Sequence, residues 1–257
     1  MSEFKVITSK DNALIKLVSS LQSSSKARKE NGLFVLEGLR ICKDAYENDI
    51  LFEKLIVSET ALNKYREDIS VYETKAKECF QLTDSLFAKI SDTVSPQGII
   101  GICKIPDNYR TLNIKGRYIA LENIQDPSNL GAISRTAEAL GVNGIILAGG
   151  CDPYAPKSLR ASMGTLLRMP LFQFSEISEL EYTGLKAYAC VVDSDALPVT
   201  DIGFEDGCVV VIGNEANGIT EETKGFCDEQ ITIPMSGKAE SLNAAVAASI
   251  AMWEMMK

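Results

Sequence analysis

Three short segments of the sequence place polar, charged and glycine residues directly after apolar runs. The first, Leu121 to Leu140, reads LENIQDPSNLGAISRTAEAL and carries Asp126, Asn129 and Arg135 in or after a turn that opens a helical pattern. Open α/β sheets bind ligands at the carboxyl ends of their strands, so this turn is a candidate ligand site. The same spacing is also typical of a well-capped helix with a solvated arginine.

The second segment, Val209 to Thr220, reads VVVIGNEANGIT and runs from an apolar strand into a turn rich in glycine and asparagine. Glycines at Gly213 and Gly218 would let the backbone approach a ligand closely or adopt a positive φ. The segment lacks the GxGxxG spacing of a dinucleotide-binding loop, and many strand-to-helix turns share its pattern.

The third segment, Ile231 to Trp253, reads ITIPMSGKAESLNAAVAASIAMW. It predicts a short strand, a turn, and a helix over Leu242–Met256 with Ser241 as its N-cap residue. The residues that share one face of this helix are Leu242, Ala245, Val246, Ser249, Ile250 and Trp253. Such a stripe is more typical of a core or of a subunit interface than of a cofactor site.

The elements that position these segments alternate between strands and helices, which is typical of a mainly parallel sheet covered on both faces. The predicted strands are Tyr118–Leu121, Gly144–Leu147, Ala187–Val192, Cys208–Ile212 and Ile231–Ile233. The predicted helices between and after them are Gly131–Leu140, Pro156–Met163, Glu221–Cys227 and Leu242–Met256. We expect Gly141 to end the first of these helices.

The N-terminal third predicts a smaller α/β domain. An amphipathic helix over Asn12–Gln22 precedes the polar run Ser23–Asn31, and Leu33–Leu36 and Gly98–Lys104 have the composition of buried strands. Ala61–Asp68 predicts a helix and Ser70–Glu73 a short strand. We therefore divide the chain into a first domain over 1–105, a linker over 106–116 and a second domain over 117–257.

Composition and charge limit the class of protein. Hydrophobic residues make up 46% and charged residues 24% of the 257 residues, as in soluble globular proteins. The net charge of −9 argues against a strongly basic nucleic-acid-binding surface. However, residues 1–105 hold 15 Lys and Arg against 15 Asp and Glu, whereas residues 106–257 hold 11 against 20. The acidic excess therefore belongs to the second domain.

Cysteine and histidine usage argues against a metal site. The seven cysteines are scattered and never spaced as CxxC, which is typical of reduced thiols, and the sequence contains no histidine. Neither end of the chain resembles a signal peptide or a membrane span. We expect a cytoplasmic protein without a metal ion or a membrane partner.

Taken together, the three segments resemble the three signature motifs of the SpoU (TrmH) family of RNA ribose 2′-O-methyltransferases, in the SPOUT superfamily. Ala155–Pro170 (APKSLRASMGTLLRMP) resembles the family segment between the first two motifs. Phe34–Arg40 (FVLEGLR) and Ser95–Ile99 (SPQGI) resemble its N-terminal, ribosomal-protein-like substrate-binding domain. The resemblance covers almost the whole chain.

This resemblance implies a deep trefoil knot in the second domain and the transfer of a methyl group from S-adenosylmethionine to a ribose 2′-hydroxyl group of structured RNA. Ribosomal RNA is favoured over tRNA. The catalytic residues that it implies are Asn129, Arg135, Glu215, Ser241 and Asn243. The cofactor-binding residues that it implies are Ala148, Gly149, Ile212, Gly213, Asn214, Glu215, Ile233, Met235, Ser241 and Leu242.

The resemblance also implies a homodimer that packs through the apolar face of Leu242–Met256, with RNA as the partner. Arg135 would activate the 2′-hydroxyl group as a base or hold the adjacent phosphate, and an arginine pKa above about 12 favours the second role. Candidate RNA contacts are Lys10, Lys16, Lys26, Arg28, Lys29 and Arg160.

Other classes of protein remain as alternatives. A non-catalytic RNA-binding or ribosome-assembly protein that keeps the knotted fold is expected to have lost the residues of the cofactor loops, which are present here. A nucleotide-dependent oxidoreductase would fit the α/β pattern, but no GxGxxG follows a strand. The missing histidines disfavour a metal-dependent hydrolase.

Overall fold

The computed structural model describes residues 4–106 and 111–257. Residues 107–110 of the predicted linker lie outside the described residues, so the linker stays a prediction. The chain divides into two compact units, one of Met1–Pro106 with Asp152–Leu167 and one of Asp107–Cys151 with Arg168–Lys257. Within the described ranges, no helix has both the length and the apolar character needed to cross a membrane.

The first unit contains a mixed sheet with helices. Its strands are β1 (Lys5–Ile7), β2 (Leu33–Glu37), β3 (Phe52–Ser58), β4 (Cys79–Leu82) and β5 (Ile99–Lys104). Its helices before residue 106 are α1 (Ala13–Ser23), α2 (Ser25–Asn31), α3 (Leu39–Glu47), α4 (Glu59–Lys64), α5 (Arg66–Tyr72) and α6 (Asp84–Ile90), with a 3-10 turn at Glu73–Lys75. Among residues 4–106 the strand order is β1-β4-β3-β5-β2.

Parallel pairing joins β1, β4 and β3, whereas β5 runs antiparallel to β3 and β2. The predicted first helix is confirmed as α1, which begins after Asn12, whose side chain accepts a hydrogen bond from the backbone N–H of Leu14 at 2.9 Å. Its apolar face packs Val18 and Leu21 into the core against Ile56 and Ile100. This packing stabilises the helix on the sheet.

One prediction in this unit is wrong, and one polar run has a structure that was not predicted. Ser70–Glu73 is not a strand but the end of α5 and a 3-10 turn, because Ile69 and Tyr72 are buried at helical spacing while Val71 is 41% exposed. The polar run Ser23–Asn31 contains the helix α2, which Ser24 caps and Gly32 ends at φ +62°.

The second unit contains a parallel sheet. Its strands are β6 (Arg117–Glu122), β7 (Gly144–Ala148), β8 (Leu171–Phe174), β9 (Lys186–Cys190), β10 (Leu197–Pro198), β11 (Cys208–Ile212) and β12 (Glu229–Thr232). Its longer helix after β6 is α7 (Pro127–Leu140), and the chain between β7 and β8 carries α8 (Pro156–Ser162) and α9 (Thr165–Arg168). The later helices are α10 (Glu221–Phe226) and α11 (Ala244–Met255), with 3-10 turns at Ile177–Tyr182 and Val199–Asp201.

The order of this sheet, within residues 111–257, is β10-β12-β9-β11-β6-β7-β8, with parallel pairing throughout. The expected mainly parallel α/β sheet is confirmed. Chain order runs outward from β6 to β8 on one side, and β11 lies on the other side of β6. The carboxyl ends of β6 and β11 therefore meet at a point where the strand order reverses, which is where such sheets bind ligands.

The segment Asp152–Leu167 belongs to the first unit, although it lies between two strands of the second in sequence. The ring of Tyr154 lies 5.0 Å from the ring of Phe34 in β2. The carboxylate of Asp152 accepts a hydrogen bond from Nε of Arg28 at 2.7 Å. An aromatic contact and an ion pair thus join this segment to the N-terminal strands and helices.

Two helices of the second unit begin elsewhere than predicted. Asp126 caps α7, which therefore starts at Pro127 instead of Gly131, and Gly141 ends it at φ +77° as expected. The last helix starts at Ala244, and its N-cap residue is Asn243 instead of Ser241, because the Asn243 side chain accepts the N–H groups of Ala245 and Val246.

Candidate active site

The turn after β6 positions the polar residues of the first segment. Pro127 follows the N-cap residue Asp126, whose carboxylate accepts the N–H of Ser128 at 2.8 Å. This arrangement places Asn129 in the first turn of α7, where its side chain is buried with 6% exposure. A buried amide needs hydrogen-bond partners on both its oxygen and its nitrogen.

Glu215 and Asn243 are the partners of that amide. Asn129 Nδ2 donates to Glu215 Oε1 at 2.8 Å, and Asn243 Nδ2 donates to Asn129 Oδ1 at 3.0 Å. We call Glu215, Asn129 and Asn243 the amide–carboxylate series. It joins one residue from each of the three segments, so the structure brings together three of the five predicted catalytic residues.

The orientation of each amide in the series is set by its other contacts. Asn243 Oδ1 accepts the N–H groups of Ala245 and Val246 at 2.9 and 3.3 Å, which leaves its Nδ2 to donate to Asn129. Asn129 in turn has its oxygen accepting and its nitrogen donating. All three groups have compatible donor and acceptor roles, so the series fixes the spacing of its three loops.

The carboxylate of Glu215 is held by three N–H groups. The backbone N–H groups of Gln125 and Asp126 each donate to it at 3.0 Å, in addition to the amide of Asn129. Burial acts to raise the pKa of Glu215, but the hydrogen bonds from Gln125, Asn129 and Asp126 outweigh burial and lower the pKa below its ordinary value. Glu215 is therefore ionised near neutral pH and serves as an acceptor.

The loop between β11 and α10 is closed on itself. Asn214 and Gly218 exchange two backbone hydrogen bonds at 3.0 and 2.8 Å, and the Asn214 side chain donates to the carbonyl of Asn123 at 2.9 Å. A Cβ on Gly213 would lie 2.2 Å from the carbonyl carbon of Gly218, and Gly218 has φ +67°. The predicted positive φ occurs at Gly218, whereas Gly213 packs against the chain's own backbone, so close approach to a ligand stays a prediction.

A cavity of about 420 Å³ lies beside this loop. Six of the ten predicted cofactor-binding residues line it, and these are Ile212, Gly213, Asn214, Glu215, Ser241 and Leu242. The ends of β9 and the turn after it contribute Cys190 and Asp193, and Glu240 contributes a further carboxylate. The cavity and the amide–carboxylate series share Glu215.

Four predicted cofactor-binding residues do not line this cavity, and these are Ala148, Gly149, Ile233 and Met235. The chain after β7 packs instead on the turn after β6, since a Cβ on Gly150 would lie 2.3 Å from the carbonyl oxygen of Ile124. The backbone N–H of Asn123 also donates to the carbonyl of Ala148 at 2.8 Å. Contact of these four residues with a cofactor stays a prediction.

Arg135 and Ser241 lie outside the series. Arg135 is exposed and follows Asn129 by six residues, which is about 9 Å along the axis of α7. The predicted helix Gly131–Leu140 places Arg135 four residues, or about one turn, after its start, but α7 begins four residues earlier than predicted. Ser241 is exposed and lines the cavity without capping α11.

The structure also shows a buried carboxylate that the sequence analysis did not single out. Glu122, at the end of β6, is 7% exposed and accepts hydrogen bonds from the hydroxyl groups of Thr220 and Thr223 at 2.7 and 2.8 Å. It fixes the start of α10 and so the far end of the loop that carries Glu215. The sequence did contain a signal for this buried carboxylate, since Glu122 directly follows the apolar run YIAL.

The predicted RNA contacts in the first unit differ in exposure. Lys10, Lys16, Lys26 and Lys29 are exposed. The prediction for Arg28 is wrong in this structure, because its side chain is 5% exposed and is held by Asp152 and by the carbonyl of Leu21. Arg160 is exposed and forms an ion pair with Asp92 at 2.7 Å.

Comparison with known proteins gives the class to which this fold and site belong. Residues 116–253 match the SpoU rRNA Methylase family, and residues 12–101 match the MRM3-like substrate binding domain. The first match spans more than half of the chain. This chain belongs to the SpoU rRNA methylase family.

Individual relatives are similar over nearly their whole length. The chain is 29% identical to the 23S rRNA (guanosine(2553)-2'-O)-methyltransferase RlmP of Bacillus subtilis, over 98% of this chain and 99% of the relative. The AdoMet-bound rRNA methyltransferase from Sinorhizobium meliloti has a TM-score of 0.86 at 26% identity, covering 98% and 97% of the two chains. The AdoMet complex of the SpoU methyltransferase AviRb from Streptomyces viridochromogenes has a TM-score of 0.85 at 26% identity, covering 95% and 97%.

Proposed function

We propose that this chain transfers a methyl group from S-adenosylmethionine to a ribose 2′-hydroxyl group of structured RNA, with ribosomal RNA as the substrate class. The observation that carries the proposal is the amide–carboxylate series, which joins one residue from each family motif beside a cavity of ligand size. Membership of the SpoU family and the rRNA substrate in the name of the Bacillus subtilis relative support it.

The cavity residues fit S-adenosylmethionine. Its volume of about 420 Å³ falls in the range of small-molecule sites. Carboxylates of Asp193 and Glu240 line it, and they complement a ligand with sulfonium and ammonium charges. Ile212 and Leu242 would hold the ligand through apolar contact, with Gly213 beside them in the lining. When bound, S-adenosylmethionine supplies an already activated methyl group.

The protein residues contribute position more than proton transfer. The Glu215 carboxylate is engaged by three N–H groups and has a lowered pKa, so it is a poor base. A guanidinium group stays protonated in proteins, so it is likewise a poor base. We therefore assign Arg135 to the phosphate next to the reacting ribose, with the hydroxyl proton leaving to solvent, because alignment alone can supply much of the rate.

The second copy in a homodimer would cover an apolar surface of α7 and α11. A depression of about 480 Å³ is lined by Ala132, Val246, Ile250 and Trp253, together with Asn129 and Asn243 of the amide–carboxylate series. Val246 is 47% and Trp253 56% exposed. An exposed apolar surface of this kind supports an interface between two copies. Arg135 follows Ala132 by three residues, so it borders this face.

Trp253 is the single tryptophan, so its fluorescence reports on the dimer directly. We expect its emission maximum to shift to shorter wavelength as the protein concentration rises to micromolar, in step with a doubling of the mass in light scattering. Val246→Glu should keep the long-wavelength emission and the monomer mass. A wild-type monomer at tens of micromolar would contradict the dimer.

We further propose that the second unit carries the trefoil knot of the family and that the protein works in the cytoplasm. The parallel sheet order and family membership support the knot, and a traced backbone from crystallography tests it. None of the seven cysteines, all of which lie in the described ranges, is in a disulfide, and this supports a reducing compartment. Fractionation with an antibody against the chain would test the location.

The activity is tested with radiolabelled S-adenosylmethionine and unmodified transcripts of rRNA and tRNA. A ribose methyl group blocks the 2′-hydroxyl that alkali needs to cleave the chain, so the product is an alkali-resistant labelled dinucleotide. We expect that product from rRNA. Label that alkali releases as a mononucleotide would indicate base methylation and contradict the proposal.

A further inference from the structure

A second cavity lies in the first unit, at the carboxyl edge of its parallel strands. It has a volume of about 320 Å³. The strands β3 and β4 end at Ser58 and Leu82, and the residues after them, Thr60 and Asp84, line the cavity. The loop before β5 supplies the opposite wall with Gln97 and Gly98. This size suits one nucleotide-sized group.

The acceptor in this cavity is held in place. Backbone N–H and side-chain hydroxyl of Thr60 donate to the two carboxylate oxygens of Asp84 at 3.0 and 2.6 Å. The hydroxyl and the N–H of Thr60 lower the pKa of Asp84, with a further hydrogen bond from Ser58. Asp84 is thus a fixed, ionised acceptor, which disfavours a phosphate group inside the cavity.

The wall formed by Gln97 and Gly98 supplies a hydrogen-bond donor, and it joins the two segments that resemble the family's substrate-binding domain. Oε1 of Gln97, in SPQGI, accepts the N–H of Leu39, in FVLEGLR, at 2.8 Å. This contact fixes the amide plane and leaves Nε2 as the donor on its other side. Gly98 has φ +80°, and a Cβ there would lie 2.5 Å from Ser58 Oγ, so only glycine lets the loop close on β3.

The third wall is aromatic and cationic. The half-buried ring of Tyr65 lines the cavity, and Nζ of Lys64 lies 5.1 Å from the centre of that ring. Lys64 is exposed. An aromatic ring with a cation over one face, a fixed acceptor and an amide donor together match an unstacked nucleotide, with its base against the open face of the ring and its phosphate at Lys64.

We propose that this cavity receives one extruded nucleotide of the substrate RNA, with the base against Tyr65, its edge between Asp84 and Gln97, and its phosphate at Lys64. The inference rests on the proposed function, since it assumes an RNA substrate. It assigns selection of an RNA region with an unpaired nucleotide to the first unit. The methyl acceptor itself would be bound by the second unit.

The test uses the full chain and an unmodified transcript of the large-subunit rRNA of the organism that encodes it. We expect Tyr65→Ala to weaken RNA binding in a filter assay by about tenfold or more, because base–aromatic stacking is lost. KM for RNA should rise by the same factor with kcat unchanged. Tyr65→Phe keeps the ring and should stay within about twofold of wild type. Tyr182→Ala, at a tyrosine that is 86% exposed in the other unit, is the matched control.

Lys64→Ala gives a second reading that does not depend on the stability of the Tyr65→Ala chain. It removes one phosphate contact and should lower the slope of log affinity against log salt by somewhat less than 1. If Tyr65→Ala and Lys64→Ala both bind RNA with wild-type affinity and still transfer methyl groups, the proposed nucleotide site is wrong, whereas the proposed enzymatic activity stands. If RNA binding depends on Tyr65 but no methyl transfer occurs, the proposed nucleotide site is supported and the proposed function is contradicted.

Discussion

Glu215 accepts a hydrogen bond at 2.8 Å from the side chain of Asn129, which lies 86 residues earlier in the chain. The contact joins the turn after β6 to the turn after β11, and these two strands are neighbours in the sheet. Asn243 extends the connection to the start of α11. The site is therefore organised by one buried amide with a partner on each side.

Asn129→Ala should remove both connections at once. We expect the free energy of unfolding to fall by about 1–3 kcal/mol, because partners of a buried amide are left unsatisfied. Methyl transfer should fall at least tenfold. Asn217→Ala, at an exposed position of the same loop as Glu215, is the matched control for urea denaturation. Equal values for the two variants would show that the series does not organise the site.

Glu215 should make stability depend on pH in acid. Its pKa in the folded state is lowered from the ordinary 4.5, so its stabilising effect is present above pH 4.5 and is lost as the pH falls through the folded value. The difference in unfolding free energy between wild type and Glu215→Gln should therefore shrink below about pH 4.5. Urea unfolding from pH 3 to 7 measures it, with Glu222→Gln, at an exposed residue of α10, as the charge-matched control. A difference that stays constant over this range would contradict the hydrogen-bonded carboxylate.

Gly213→Ala should disturb the cavity. The added Cβ would lie 2.2 Å from backbone of Gly218, so the loop must move, at a cost of about 1–3 kcal/mol. We expect weaker S-adenosylmethionine binding by calorimetry along with lower stability. At Gly203 an added Cβ meets nothing within 4 Å, so Gly203→Ala should change neither quantity. If Gly213→Ala binds S-adenosylmethionine with unchanged affinity, this loop is not part of the cofactor site.

Arg28 and Lys29 are adjacent in sequence but should have opposite roles. Arg28→Ala leaves the carboxylate of Asp152 without its buried partner and should cost about 3–5 kcal/mol of stability. Lys29→Ala removes an exposed charge and should leave stability within about 0.5 kcal/mol while reducing the salt dependence of RNA binding. Thermal unfolding and filter binding at several salt concentrations measure the two effects. A stable Arg28→Ala chain with weakened RNA binding would restore Arg28 as a phosphate contact.

Much of the fold follows from periodicity in the sequence. The apolar runs of β6, β7 and β11 are buried on both sides, so they read as strands without ambiguity. Short edge strands were missed, as with β1 and β10, because two or three residues leave too little pattern to detect. The Ser70–Glu73 prediction failed because a β-branched and an aromatic residue outweighed the helical spacing of Ile69 and Tyr72.

Sequence spacing limited the site prediction in a different way. The resemblance to the SpoU motifs identified Asn129, Glu215 and Asn243, but spacing could not predict their contacts, which depend on a sheet order that places β11 beside β6. Burial of Arg28 depends on Asp152, 124 residues away. A contact between residues so far apart leaves no pattern in the local sequence. The basic run with Lys26, Arg28 and Lys29 was therefore predicted to be exposed throughout. Ser241 was assigned as the cap because serine is a common N-cap, and Asn243 two residues later serves that role instead.

The most direct test compares wild type with Arg135→Ala in two assays, using S-adenosylmethionine and the large-subunit rRNA transcript. We expect the wild-type chain to form alkali-resistant methylated dinucleotides. Arg135→Ala should lower that rate about 100-fold or more with cofactor affinity within about twofold, because we assign this exposed arginine to the RNA phosphate and not to the cofactor. Arg135→Lys keeps the charge but lacks the planar guanidinium group, so its methylation rate should lie between the rates of wild type and Arg135→Ala. An unchanged rate in Arg135→Ala would contradict the role of Arg135, and cofactor binding by wild type without methyl transfer to any RNA would contradict the enzymatic function.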